Sequence, residues 1–245
     1  MIEALDHIAL SVASRDAGIR TYETLLGRRA EHAAIWLANV RLELRATTAA
    51  EGLSNLGFAV RDLTKAQRLL ERRALPVTVD TDGLQIAPQA TYGVPIVLWR
   101  EDSAEPPPCS PLVGAEEEAA VAGLDHVVIR SPNPERAIAL YAGRLGLSLR
   151  LDRSEPGWGA RLVFFRCGDL IVEVAHDLKA GIGDGPDRLW GLSWRVPDVA
   201  AAHARLQSAG VEISAIRTGR RPGTRVFTAK SHTCGVPTLM IGASP

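Results

Sequence analysis

At four places in the chain, bulky apolar residues alternate with small or polar ones at a period of two. Ile8, Leu10 and Val12 alternate with His7, Ala9 and Ser11, and Leu56, Phe58 and Val60 with Asn55, Gly57 and Ala59. Val127 and Ile129 alternate with His126, Val128 and Arg130, and Leu192, Trp194 and Val196 with Gly191, Ser193 and Arg195. This period predicts β-strands, each with one bulky face and one small or polar face. The second kind of face suits the lining of a concave cavity, whereas the bulky face, Trp194 included, is core.

A helix is predicted after each of these strands. Asp62, Asp198 and Asn133 are N-cap residues, the last followed by Pro134 at the first helical position. Gly27, Gly146 and Gly210 fall where a helix ends in a left-handed residue. Helical spacing puts Ile19, Tyr22 and Leu26 on one stripe, and Ile138, Tyr141 and Leu145 on another, each turned to the bulky strand faces. Further strand-like segments follow, such as 40–44 and 170–174.

The pattern is an internal repeat. Leu5-Asp6-His7-Ile8-Ala9-Leu10 returns as Leu124-Asp125-His126-Val127-Val128-Ile129, 119 residues later, and the same offset carries Tyr22 to Tyr141 and Gly27 to Gly146. Residues 57–62 align with 193–198, within the segment 192–198, when Val60 is set on Val196, and 93–98 align with 235–240. The chain therefore reads as four tandem modules in two halves, 1–101 and 122–245. The stretch 102–121, with three consecutive prolines and three consecutive glutamates, reads as a linker.

Composition narrows the function classes. The formal net charge is zero, so no global field favours nucleic acid, anionic lipid or an acidic partner. No apolar run is long enough to span a bilayer. Three widely spaced cysteines argue for a reducing compartment rather than a disulfide framework or a CxxC metal site. The first residues lack the basic and apolar stretches of a secretory leader, and a cytoplasmic location is the expectation. There is no GxxxxGK[ST], GxSxG or HExxH motif, and no basic face interleaved with aromatics for nucleic acid.

An Asp-His-Ile/Val strand, an amphipathic helix ending in Leu-Gly and a later strand with an inward Glu resemble the module of the vicinal oxygen chelate superfamily. Its members include glyoxalases, bleomycin resistance proteins and extradiol dioxygenases. The resemblance implies an α+β fold: four βαβββ modules forming two curved, barrel-like mixed sheets with helices outside. It further implies a divalent metal (Fe, Zn, Ni or Mn) held by a His or Gln of the first strand and a Glu of the last, chelating two adjacent oxygens of a small molecule. Carried over, the metal ligands are His7, Glu43, His126 and Glu173. The even modules carry Asn55, Val97, Gly191 and Leu239 instead.

Three readings of these residues stay open. Each half keeps a partial His-Glu site; modules 1 and 3 combine into a full site; or the pairs are inherited fold features without metal. Glu43 lies between Arg41 and Arg45, which suits a plain ion pair, so His126 and Glu173 are the preferred pair, with Glu173 as ligand or base. Arg130, Trp158 and Arg221 are candidate substrate contacts, the last within a run of Arg217, Arg220, Arg221 and Arg225 fitted to a carboxylate or phosphate. In 231–235, His232 is a candidate proton-transfer group and Cys234 a candidate thiolate. Trp36, Trp99 and Trp190 are further candidates for an aromatic cavity, whereas His32, His176 and His203 have no spacing that singles them out, and His203 is expected on an exposed helix face. Two functions follow: a metal-dependent lyase, isomerase or ring-cleaving dioxygenase acting on a small oxygenated substrate, or a metal-free protein that sequesters a small molecule. Either is compatible with a homodimer.

Overall fold

The computed structural model of the protein describes residues 1–80, 83–100 and 108–244, so residues 102–107 of the expected linker lie outside it. Strand β1 (Ile2–Val12) is followed by helix α1 (Arg15–Leu26) and strands β2 (Ala34–Trp36) and β3 (Arg41–Ala46). Next come β4 (Gly52–Val60), α2 (Leu63–Arg72), β5 (Val77–Asp80), β6 (Gly83–Ile86) and β7 (Ile96–Arg100). The third module has β8 (Gly123–Arg130), α3 (Pro134–Ile138), a π-helical turn (Ala139–Arg144), β9 (Ser148–Glu155), β10 (Ala160–Cys167) and β11 (Leu170–Asp177). The fourth has β12 (Arg188–Arg195), α4 (Val199–Ser208), β13 (Arg217–Thr218), β14 (Thr224–Ala229) and β15 (Thr238–Ala243). Modules two, three and four thus have the full βαβββ order, and in the first, two strands follow the helix among the described residues.

Hydrogen bonds arrange the strands in two mixed sheets. One has seven strands in the order β2-β3-β1-β4-β7-β6-β5, the other eight in the order β13-β14-β15-β12-β8-β11-β10-β9. Both are open. The first and last strands of a module lie side by side and parallel, as β4 with β7 and β12 with β15, whereas the returning hairpins are antiparallel. A parallel neighbour demands a crossover, and the helix of each module supplies it.

The caps follow the sequence. Asp62 accepts from the Lys65 N–H, Asn133 from that of Arg136, and Asp198 from those of Ala200 and Ala201. Gly27 ends α1 at φ 69°, a left-handed conformation that costs a glycine little. The third helix departs from the regular 3.6-residue period. Leu145 N–H bonds to the Leu140 carbonyl, five residues back, which makes the turn π-helical; Tyr141 and Leu145 are fully buried in it.

The described residues cluster into two compact units. The first draws on Met1–Ile8, Ser54–Glu105 and Val127–Trp190. Within it Tyr141 packs on Phe165 at 5.5 Å between ring centroids, and Phe58, Leu70, Val163 and Val172 are shut off from solvent. Buried Asp187 accepts from Ser131 Oγ (2.7 Å) and Arg136 (2.9 Å), while Arg136 also stacks on Tyr92. Burial, the largest influence, raises the Asp187 carboxyl above the ordinary range against the lowering effect of these two partners.

The second unit draws on Ala9–Leu53, Pro106–His126 and Gly191–Pro245. Trp194, Tyr22 and Phe227 are fully buried in it. The segment 108–121 is fastened rather than loose. Buried Arg28 donates to the carbonyls of Val121 (2.7 Å) and Ser110 (3.1 Å) and pairs with Glu117. Arg205 donates to the carbonyls of Thr24 (2.6 Å) and Leu25 (2.9 Å), the acceptors left open at the end of α1, and to that of Ala119 (3.1 Å). His203, expected on an exposed face, is half-buried instead: its ring meets Phe227 edge-on and Nε2 donates to the Ser214 carbonyl, because β14 runs beneath that face of α4.

Replacing Arg28 by Met keeps the buried stem and strands two interior carbonyls. Unfolding in urea is expected to show a loss of about 2–4 kcal/mol, and an unchanged midpoint would show the clamp to be dispensable.

Candidate functional site

The polar residues that converge belong to the second unit and come from three elements. The start of β8 carries Asp125 and His126, and β12 carries Ser193 and Arg195. Arg221 is held in the tight turn between β13 and β14, where Thr224 Oγ1 donates to the Arg221 carbonyl and Gly219 N–H to that of Thr224.

Asp125 Oδ2 lies 2.9 Å from His126 Nδ1, and Ser193 Oγ lies 2.8 Å from His126 Nε2. An ionised carboxylate only accepts, so Nδ1 carries the proton. When the ring is neutral, Nε2 accepts from the serine hydroxyl, and when it is protonated Nε2 donates; in either state the three side chains form one hydrogen-bonded line. The other carboxylate oxygen, Asp125 Oδ1, is 3.4 Å from Arg195 Nε and 3.4 Å from Arg221 Nη2. Burial alone would raise the Asp125 carboxyl. His126, then Arg221 and Arg195, outweigh it and hold the group at about 2. Ser193 is 2% exposed and the His126 side chain 19%, so the imidazole, rather than the hydroxyl, is the group within reach of solvent.

The first half holds the same motif in another state. His7 Nδ1 is 2.8 Å from Asp6 Oδ2, but the ring is 2% exposed, edge-on to Trp99 at 6.0 Å. In the repeat alignment Gly57 stands where Ser193 does, and Ala59 where Arg195 does. A Cβ on Gly57 would lie 2.0 Å from His7 Cε1, so the ring occupies the space a side chain would need. Here the histidine is core.

The other sequence candidates have partners of their own. Glu43 is paired with Arg41 (2.8 Å) and Arg45 (2.6 Å), the plain ion pair its neighbours suggested. Glu173 is half-buried on β11, opposite Phe164 of β10. Arg130 covers the Trp190 ring at 4.4 Å, and Trp158, 42% exposed, lies under Arg153. His232 is exposed in a left-handed conformation beside Ser231. Cys234 is not a resident thiolate, because burial, with Glu51 adding to it, pushes its thiol upward.

These donors do not fit a chelated metal. Among the described residues there is no group of three or more His, Cys, Asp or Glu side chains placed to hold an ion. Both nitrogens of His126 are engaged, by Asp125 and Ser193. Ser193 and Arg195 are not among the residues that the chain alone singles out as a site, whereas Asp125 stands in the repeated Asp-His motif. The signal was present in the repeat alignment, as the polar residues that replace Gly57 and Ala59.

Comparison with known proteins gives this arrangement a setting. Residues 125–228 match the family described as the glyoxalase/bleomycin resistance protein/dioxygenase superfamily. In sequence the chain is 29% identical over 97 residues to the ethylmalonyl-CoA/methylmalonyl-CoA epimerase of Cereibacter sphaeroides, covering 37% of this chain and 72% of that protein. In fold it is similar to the Mn(II)-bound glyoxalase from Novosphingobium aromaticivorans, with a TM-score of 0.71, 15% identity, and 98% of this chain and 82% of that one covered. It is equally similar to the 2,2',3-trihydroxybiphenyl 1,2-dioxygenase from Sphingomonas wittichii strain RW1, with a TM-score of 0.71, 16% identity and coverages of 99% and 91%. At such identities the structural likenesses speak for the fold.

Asp125→Asn tests the buried carboxylate. Its depressed value means stability that is present above pH about 4, the unfolded value, and is lost as pH falls through the folded one. Denaturation at pH 7 is expected to place the variant about 2 kcal/mol below wild type, with the gap closing between pH about 4 and about 2. A gap independent of pH over that range would refute the assignment.

Proposed function

With residues 125–228 as a domain of the glyoxalase/bleomycin resistance protein/dioxygenase superfamily, we propose that the second half of the chain catalyses proton transfer on a small oxygenated molecule, with His126 as the base. The observation that carries this reading is the line Asp125–His126–Ser193. The carboxylate fixes the tautomer, so that the basic lone pair of the ring is on Nε2, the nitrogen that faces Ser193.

The chemistry balances on these residues alone. Nε2, released from the Ser193 hydroxyl, takes a proton from carbon next to a carbonyl, and the ring becomes an imidazolium. Asp125 offsets the new charge, while the electron pair left behind forms an enolate on the substrate. Return of the proton from His126 to the same carbon, after the enolate has turned its other face to the ring, inverts the centre; return to a neighbouring atom isomerises the molecule. Either course restores neutral His126. Asp125 is a positioning residue here, and Ser193 fixes the resting orientation of the ring.

Two considerations favour proton transfer over ring cleavage. Iron of the oxygenase type is held by two histidines and a carboxylate in one place, and the described residues offer no such set. The sequence relative is by name an epimerase of malonyl thioesters, substrates with one proton to remove and return. No step of this reading runs through a metal.

Exchange of the substrate α proton in deuterated water, followed by NMR, tests the role of His126. Methylmalonyl-CoA, ethylmalonyl-CoA and methylglyoxal with glutathione are the substrates to try. Wild-type protein should exchange at least one, His126→Gln should be slower by about 10²–10⁴-fold, and Ser193→Ala by about tenfold. Equal rates in His126→Gln and wild type, or no exchange on any of the three, would sink the reading.

A further inference from the structure

His126 stands near the end of a strand, and what steadies that end comes from the first module. We infer that Asn39 is a positioning residue for His126: its carboxamide fixes the backbone that holds Asp125 against the imidazole. The part played by the ring rests on the proton-transfer reading above; the placement of Asn39 does not.

Position along the strand creates the need. β8 begins at Gly123, so Asp125 is its third residue, whereas Asp6 is the fifth of β1. Strand ends open more readily than strand middles. Neighbouring side chains of a strand leave the backbone on opposite faces. The 2.9 Å contact of Asp125 Oδ2 with His126 Nδ1 therefore tolerates little change in the torsions between the two residues.

The carboxamide meets that need. Asn39 Nδ2 donates to the Leu124 carbonyl (2.8 Å), and Asn39 Oδ1 accepts from the Leu124 N–H (2.9 Å). The two bonds copy the exchange made by a directly paired residue of an antiparallel strand. They hold both backbone groups of the residue before Asp125. Leu124 is fully buried, so water is a poor substitute partner for those groups. Asn39 is itself well held. It lies in the turn after the Trp36↔Arg41 pair of β2 and β3, where the Leu37 N–H donates to the Val40 carbonyl (3.0 Å) and both residues are buried. Just before the turn, Trp36 N–H donates to Ser110 Oγ and Ser110 N–H to the Trp36 carbonyl, each at 2.9 Å.

The residues leading to β8 are held by the same part of the chain. Val121 N–H donates to the Leu26 carbonyl (2.9 Å), Arg28 Nε donates to the Val121 carbonyl (2.7 Å), and Ala38 N–H donates to the Ala122 carbonyl (3.0 Å). The backbone thus reaches Asp125 along a path set by residues 26–39. Gly123 completes the fit, because a Cβ there would lie 2.7 Å from Asn39 Oδ1. The offset of 119 that relates the halves sets Ala4 on Gly123 and Trp158 on Asn39. Amide and glycine therefore come as a set, beside the histidine that solvent reaches, and the repeat replaces both.

The test reads the proton on the ring. In two-bond ¹H–¹⁵N spectra of the wild-type chain with the imidazole neutral, His126 is expected to carry its proton on Nδ1. In Asn39→Ala the proton is expected to move in part to Nε2, and exchange of the substrate α proton to slow about 10–100-fold. Gly123→Ala displaces the amide without removing it and should shift the proton the same way; it is the variant to read if Asn39→Ala does not fold. Asp198→Ala removes the N-cap of α4 in the same unit and controls for a general loss of stability. Its His126 should keep the wild-type tautomer. An unmoved tautomer in folded Asn39→Ala or Gly123→Ala overturns the inference, whatever the melting temperature does, and so does an equal shift in Asp198→Ala. A shift in Asn39→Ala alongside a wild type that exchanges no substrate supports the placement and removes the proton-transfer reading. Exchange by wild type with an unmoved tautomer in Asn39→Ala does the reverse.

Discussion

An ionised carboxylate sits next in sequence to a histidine at the start of β8, and the polar organisation of the second unit depends on that adjacency. Asp125 is almost fully buried, and a buried charge is tolerated only with partners. His126, Arg195 and Arg221 supply them. Each partner is in turn positioned by the requirement: the ring must present Nδ1–H to the carboxylate, so Nε2 points at Ser193, and the β13–β14 turn must fold inward for Arg221 to arrive. Satisfying one buried charge therefore organises an imidazole, a hydroxyl and two cations within one unit.

The first half shows what the motif does without that company. Asp6 and His7 keep the same contact, but with Gly57 and Ala59 opposite, the ring is packed on backbone and Trp99 and shut off from solvent. Two copies of one motif thus reach opposite ends: one stays polar and accessible, the other becomes interior. A chelated metal would be a third outcome, and it needs a set of donors that the described residues do not assemble.

The fold was legible because it is written in periods and stops. Alternation at 8–12, 56–60, 127–129 and 192–196 gave the first strand of each module. Asp62, Asn133 and Asp198 gave the helix starts, since a side-chain oxygen at the N-cap serves local N–H groups whatever the tertiary context. The π-helical turn at 139–144 was not legible, because its residues carry an ordinary amphipathic pattern. The candidate site was legible only in part. The Asp-His motif, His126 and Arg221 stood out from the chain, but Ser193 and Arg195 read as the small or polar side of a strand. Their meaning depends on which strand lies beside β8, and strand order is a long-range property that no local pattern encodes.

Gly57 also bears on how the two halves can diverge. With the His7 ring 2.0 Å from where a side chain at position 57 would begin, a serine there meets the ring before it can bond to it, and freeing the ring first leaves a hole in the interior. Each single step is a disadvantage, and only the two together would rebuild the polar line found in the second half. Positions 7 and 57 of the first half therefore constrain each other as a pair: the ring keeps residue 57 without a side chain, and the missing side chain is what gives the ring its place in the interior.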